Sequence, residues 1–167
     1  MNASSFSLAD LLFSEGPAPD RADKMGLYGQ FVGAWEMDAV VTADDGQTHT
    51  GHGRVRFAWA LEGRAIQDVW ILPGVFYGTT LRVYDPDLDA WHILWSDPLR
   101  QYYSRQLGRP QGPDIVQIGK TDAGVAVRWS FSEIAPDSFR WLGERSRDGS
   151  PEDWQIQSEF RVRRIGR

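Results

Sequence analysis

From Gly33 onward the chain alternates apolar and polar residues, and only short clusters of Gly, Pro and Asp interrupt the alternation. A period of two belongs to strands, whose side chains point in turn to two faces. No stretch of ten or more residues carries a helical period after that point. The pattern predicts strands over 34–43, 47–61, 64–72, 78–84, 91–96, 101–107, 114–119, 125–132, 138–147 and 154–165. Turn sequences such as "DDG", "DPDLD", "TDAG" and "DGSPED" separate them. Connections this short join antiparallel neighbours, and about ten such strands lose their exposed edges most simply by closing. The expected fold is therefore all-β: a closed up-and-down antiparallel β-barrel of about ten strands, with a two-sheet sandwich as the alternative. Residues 1–32 read as a short helical N-terminal segment of the same domain, and 33–167 as the barrel. Ser7 is placed to cap a short helix over 7–13. Asp20 is placed to cap a second, with Met25, Leu27, Tyr28 and Phe31 as its apolar positions.

Composition narrows the function. A chain of 167 residues suits one domain with a sizeable core. A net charge of −5 argues against a nucleic-acid partner. Cysteine is absent, which removes disulfides, zinc–thiolate sites and thiol nucleophiles. No apolar run approaches the roughly 18 residues that span a bilayer, so no membrane partner is expected. The N-terminus lacks a basic start before its apolar patch, so a cytoplasmic location is expected. Aromatic residues make up 13%, with eight Trp, which suits cores and binding cavities alike.

Parity assigns the faces. Trp35, Met37, Ala39 and Val41 share the inward face of the first strand, and Val55, Phe57, Trp59 and Leu61 that of the second. "LEGR" (61–64) reads as a hairpin turning at Glu62-Gly63, which puts Arg64 opposite Leu61 and carries Arg64, Ile66, Asp68 and Trp70 inward. Further rows are Trp91, Ile93 and Trp95; Val125, Val127, Trp129 and Phe131; Phe139, Trp141, Gly143 and Arg145; and Trp154, Ile156, Ser158, Phe160, Val162 and Arg164. Tyr102 and Tyr103 point opposite ways, and parity leaves open which is inward; if Tyr103 is, Arg105 is too. Buried charges need partners, so an inward Arg and Asp are either an internal ion pair or a polar anchor for a ligand. An aromatic interior holding a few arginines suits a flat or acidic organic molecule.

"FVGAWEM" at the first strand, with "RVRR" near the end, resembles the lipocalin-like, or calycin, superfamily. The stretch from about 31 to 164 is similar to an uncharacterised bacterial family of lipocalin-like domains. The segments that carry this likeness include "LEGRAIQDVW", "YGTTLRVYDPDLDAWHILW", "RWSF" and "DSFRWLGERSRDG". The resemblance implies that Gly33 and Trp35 plug one end of the barrel, with Arg164 (or Arg163) stacked on the Trp35 ring. Haem-binding barrels of similar shape need a His from a late strand, whereas His49, His52 and His92 all lie early. His49 and His52 fall on opposite faces of a strand, and no metal site or cofactor is expected.

Three readings follow. The first is small-molecule binding in the barrel, the ligand flat, apolar or aromatic, with an acidic group. Its candidate contacts are Arg64, Asp68, Trp70, Trp95, Tyr103, Arg105, Trp129, Trp141 and Arg145. The second is cavity-based lyase or isomerase chemistry using Arg64, Asp68 and Tyr103, with Asp68 as base. The third is a solid barrel acting as an accessory module through its surface, and a homodimer is kept as an open partner.

Overall fold

The computed structural model describes residues 6–146, 148, 150 and 152–166. A five-residue helix, α1 (Leu8–Leu12), leads into a two-residue strand, β1 (Phe13–Ser14). After a 3₁₀ turn at Pro19–Arg21 comes α2 (Ala22–Gly29). Ten strands follow among the described residues: β2 (Gly33–Thr42), β3 (Thr48–Ala60), β4 (Ala65–Leu72), β5 (Phe76–Asp85), β6 (Ala90–Asp97), β7 (Tyr102–Gln111), β8 (Asp114–Thr121), β9 (Ala126–Ala135), β10 (Ser138–Ser146) and β11 (Trp154–Arg164). Each pairs antiparallel with the next, and β11 pairs back onto β2. The barrel is closed, as the alternation predicts. No helix is long and apolar enough to cross a membrane, among the described residues.

The N-terminal helices follow their local chemistry in part. Ser7 caps α1 in a reciprocal box with Asp10. Asp20 does not cap α2. It lies inside the 3₁₀ turn, and the capping position is held by Arg21 with no side-chain bond. α2 is fixed by burial instead: Met25 and Tyr28 are sealed within the core, and Phe31 follows them in.

These residues close one end of the barrel. Trp35 is 1% exposed and donates its indole N–H to the Phe31 carbonyl at 2.7 Å. The Arg164 guanidinium lies 4.0 Å from the Trp35 ring centroid. Its nitrogens donate to the carbonyls of Pro136, Val32 and Gln30 at 3.0, 2.8 and 2.9 Å. Trp35 and Arg164 are direct partners in the β2–β11 register. Gly33 has a φ of +131°, and a Cβ there would lie 2.6 Å from Arg164 Nη1. Glycine is required on both counts, because backbone and guanidinium share the space.

Three local features decide which side chains face inward. In the β3–β4 connection Ala60 pairs with Ala65, so the turn has four residues, 61–64, not two. Leu61, Glu62 and Gly63 all take positive φ there. The N-terminal segment packs against this turn: Ala18 N–H bonds Gly63 O at 2.9 Å, and a Cβ on Gly63 would lie 2.2 Å from Gly16 O. In β10–β11 a bulge after Gly143 pairs Ser158 with Gly143 but Ile156 with Glu144. The faces of β11 exchange at that point. Ile156 is therefore exposed, and Trp154 lies outside against Arg128. In β7, Ser104 and Gln106 face inward, so Tyr103 and Arg105 face outward.

Trp35→Ala removes the plug and the surface that Arg164 covers. A loss of about 3–5 kcal/mol is expected in urea unfolding, as for other large aromatic truncations. An unchanged midpoint would contradict this account of the closed end.

Candidate functional site

The closed half of the lumen is filled. Phe31 touches the rings of Trp35, Phe57, Phe131 and Phe139 at centroid separations of 4.8–6.4 Å. Among these rings sits a charge. Arg82 is 1% exposed, with its guanidinium 5.1, 5.5 and 5.7 Å from the ring centroids of Tyr28, Phe57 and Phe131. Its Nη1 meets Asp68 Oδ2, and Asp68 Oδ1 accepts the Thr80 N–H at 2.9 Å. Burial pulls Arg82 down to about 10, and the nearby Tyr28 acts the other way. Asp68 faces inward as parity requires, but its partner is Arg82 and not Arg64.

A line of polar side chains leaves this pair along the inner wall. Tyr28 O–H donates to Gln117 Oε1 at 2.9 Å. Gln117 Nε2 donates to Gln106 Oε1 at a long 3.5 Å, and Gln106 Nε2 to Ser104 Oγ at 3.2 Å. Gly108 makes room for the phenol, since a Cβ there would lie 2.4 Å from the Tyr28 oxygen. Burial pushes the Tyr28 phenol well up, so it keeps its proton and acts as a donor.

At the end opposite Trp35, five aromatic rings form a closed circuit. Phe76 meets Trp95 at 6.3 Å, Trp95 meets Trp129 at 6.0 Å, and Trp129 meets Trp141 at 5.5 Å. Trp141 stacks on Phe160 at 4.7 Å, and Phe160 returns to Phe76 at 5.7 Å. Trp70 lies beneath, 5.8 Å from Trp141. Two of the rings rest on glycines: a Cβ on Gly78 would lie 2.4 Å from the Trp95 ring, and one on Gly143 2.8 Å from that of Trp141. The missing side chains leave room for these indoles directly over the backbone of Gly78 and Gly143. Trp95 and Phe76 are only half-buried, and Trp129 and Trp141 keep 9% and 8% exposure.

Arg145 stands at the same end. It pairs with Val127 in the β9–β10 register, and Val127 faces inward. Its guanidinium reaches Asp44 Oδ1 at 2.7 Å, on a carboxylate that is 84% exposed. Burial raises the phenol of Tyr102, and the charges of Arg100 and Arg145 act the other way, which puts Arg145 within electrostatic reach of Tyr102.

The structure thus gathers Trp70, Trp95, Trp129, Trp141 and Arg145 toward one mouth. It leaves out the others. Arg64 lies in the four-residue turn at the opposite end, half-exposed, against Asp20 and Glu62. Tyr103 and Arg105 face outward. Arg64, Asp68 and Tyr103, the set for lyase or isomerase chemistry, do not converge. Arg82 was missed because β5 misleads: Leu81 and Val83 look like its core face, yet Thr80, Arg82 and Tyr84 are buried. The usable signal was Asp68 itself, which called for a cation on a neighbouring strand.

Two grooves mark the outer wall. One, of about 750 Å³, runs over β6–β8 and includes Leu88, Arg105, Ile118, Lys120 and Asp122. Arg105 and Lys120 oppose each other in the β7–β8 register, with no ionic partner among the described residues. The other, of about 330 Å³, is lined by residues that include Asp38, His52 and Arg163, and there His52 pairs with Asp38 at 2.5 Å.

The buried pair gives a test of the closed half. Arg82→Met strands the Asp68 carboxylate and should cost about 3–5 kcal/mol, whereas adding Asp68→Leu should recover most of it. Equal losses in the single and double variants would show that the pair is not the main partner of either charge.

The chain matches no protein-family model and no curated protein sequence. Among solved structures it is similar to the crystal structure of Rv2717c from M. tuberculosis, with a TM-score of 0.64 and 14% identity over 90% of this chain and 99% of that one. It is also similar to the S-type phycobiliprotein lyase CPES from Guillardia theta, with a TM-score of 0.61 and 12% identity over 90% and 99% of the two chains. At such identities the likeness is one of fold alone, and the all-β fold is what this chain shares with them.

Proposed function

We propose that the open mouth binds a small, flat, largely apolar molecule carrying an acidic group. The observation that carries this reading is the closed circuit of five rings, two of them seated on glycines, at the one end that α2 and Trp35 do not seal. Aromatic faces that keep solvent access offer stacking to a planar guest. Arg145 supplies the fork for a carboxylate. Its present partner, Asp44, is largely exposed, and a surface pair of that kind is weak enough to exchange. In this reading Arg145 replaces Arg64, Asp68 and Arg105 as the polar anchor, and Trp95, Trp129 and Trp141 serve as the wall. The phycobiliprotein lyase neighbour shares the barrel and contributes fold alone to this reading.

Tryptophan fluorescence reports on the mouth directly. Anthracene-9-carboxylate should quench it saturably. Arg145→Met should weaken that probe by about 1.5–3 kcal/mol, the range for a charged hydrogen bond, and barely change binding of neutral 9-methylanthracene. Gly143→Val, which should push the Trp141 ring into the mouth, should abolish binding of both. Equal affinity of the carboxylate for parent and Arg145→Met would remove the acidic anchor, and no quenching of the parent would remove the reading.

A second reading, a homodimer through the outer wall, has its own observation. The groove over β6–β8 holds unpaired Arg105 and Lys120 beside Asp122 and the exposed Leu88 and Ile118. Like charges set directly opposite are unfavourable alone, and a face bearing both signs can complement a second copy of itself. Sedimentation should then show a dimer that Ile118→Glu converts to monomer, and a parent that is monomeric at 100 μM (about the upper end of routine work) would exclude it.

A further inference from the structure

We infer that the ligand of the mouth carries, besides its acidic group, an acceptor oxygen of carbonyl type, and that Ser104 donates its hydroxyl proton to it. The inference rests on the proposed binding reading and deepens it. Its basis is the direction of the buried relay. Arg82 is a donor only, so the Tyr28 hydroxyl beside it has no acceptor on that side. The phenol proton goes to Gln117 Oε1. That bond turns the Gln117 amide so that its nitrogen faces Gln106 Oε1. Gln106 in turn presents its nitrogen to Ser104 Oγ. Every bond donates away from the buried cation, and Ser104 receives the last. Its own proton has no acceptor among the described residues.

Ser104 is also in the right place. It pairs with Trp95 on one side and Thr121 on the other, so it stands in the row that holds a ring of the mouth circuit. Thr121 Oγ1 accepts the Val125 N–H at 3.1 Å, and its proton too is left for a guest. The wall beside Trp95 therefore offers hydroxyl donors. A guest stacked there gains most if an oxygen lone pair meets them. Chains of bonds aligned in one direction strengthen each other, and the Arg82 charge at the far end adds to the same polarity. Ser104 is a specificity-determining residue in this account, and Tyr28 a positioning residue that acts through the two glutamines.

The test uses two probes of the same shape and charge: anthracene-2-carboxylate, and anthraquinone-2-carboxylate, which adds ring carbonyls. The expected result is that Ser104→Ala weakens the anthraquinone by about fivefold and leaves the anthracene unchanged, the factor a single net hydrogen bond makes. Ser104→Thr should restore the difference. Tyr28→Phe frees the relay to reverse and should lower the anthraquinone selectively, although the change lies two side chains from Ser104. Unchanged anthracene binding in each variant shows that the mouth is intact. If both probes bind the parent and Ser104→Ala treats them alike, the acceptor inference is overturned while the binding reading stands. If neither probe binds the parent, both fall together.

Discussion

Arg164 stacked on Trp35 is the contact on which the rest depends. It joins the last barrel strand to the first, at the place where a ten-strand sheet must meet itself. The guanidinium gives its nitrogens to three backbone carbonyls of the segments around it and its flat face to the indole. Gly33 is the condition for that geometry, because any side chain there collides with the guanidinium. Shielded pairs of this kind are worth on the order of 1–2 kcal/mol through the ring alone. Their larger effect is geometric. With this end closed and α2 laid across it, the opposite end is the one left without such a plug.

A sealed half and an open half follow from that asymmetry. Burying the Arg82–Asp68 pair is costly, and stability alone gives little reason to keep it over apolar side chains. What the pair does supply is a fixed, donor-only guanidinium beside Tyr28, at the head of the relay through Gln117 and Gln106. The polar side chains of β7 and β8 then face an aromatic wall built by β5, β6, β9, β10 and β11. One side of the mouth donates hydrogen bonds and the other offers ring faces.

Much of the fold was legible in the alternation. All ten strands were expected where they occur, since polar and apolar residues exchange at each step and Gly, Pro and Asp mark each reversal. The inward placement of Trp70, Trp95, Trp129 and Trp141 was legible for the same reason. What failed was local: a hairpin whose last pair is not made, one bulge, and one strand with its faces inverted. "LEGR" contains one glycine and looks like a two-residue hairpin, yet non-glycine Leu61 and Glu62 take positive φ beside Gly63, which lengthens the turn and takes Arg64 off the wall. The bulge at Gly143/Glu144 has no local marker that parity can read, so Trp154 and Ile156 were put on the wrong face. In β5 Leu81 and Val83 face out while Arg82 faces in, and only the tertiary partner Asp68 explains that inversion. Arg145 kept its place because β9 continues in register past the bulge.

The central claim is that the ring circuit at the mouth is a binding surface and the closed end is a plug. Side-chain indole N–H resonances separate the two, because each tryptophan reports its own surroundings. The measurement is an NMR titration of the ¹⁵N-labelled protein with anthracene-9-carboxylate, following the indole signals. The account predicts progressive, saturable shifts at Trp95, Trp129 and Trp141, with the signals of Trp35 and Trp91 unmoved. Shifts confined to the outer-wall Trp154, or none at any of the three mouth indoles at saturating probe, would contradict it.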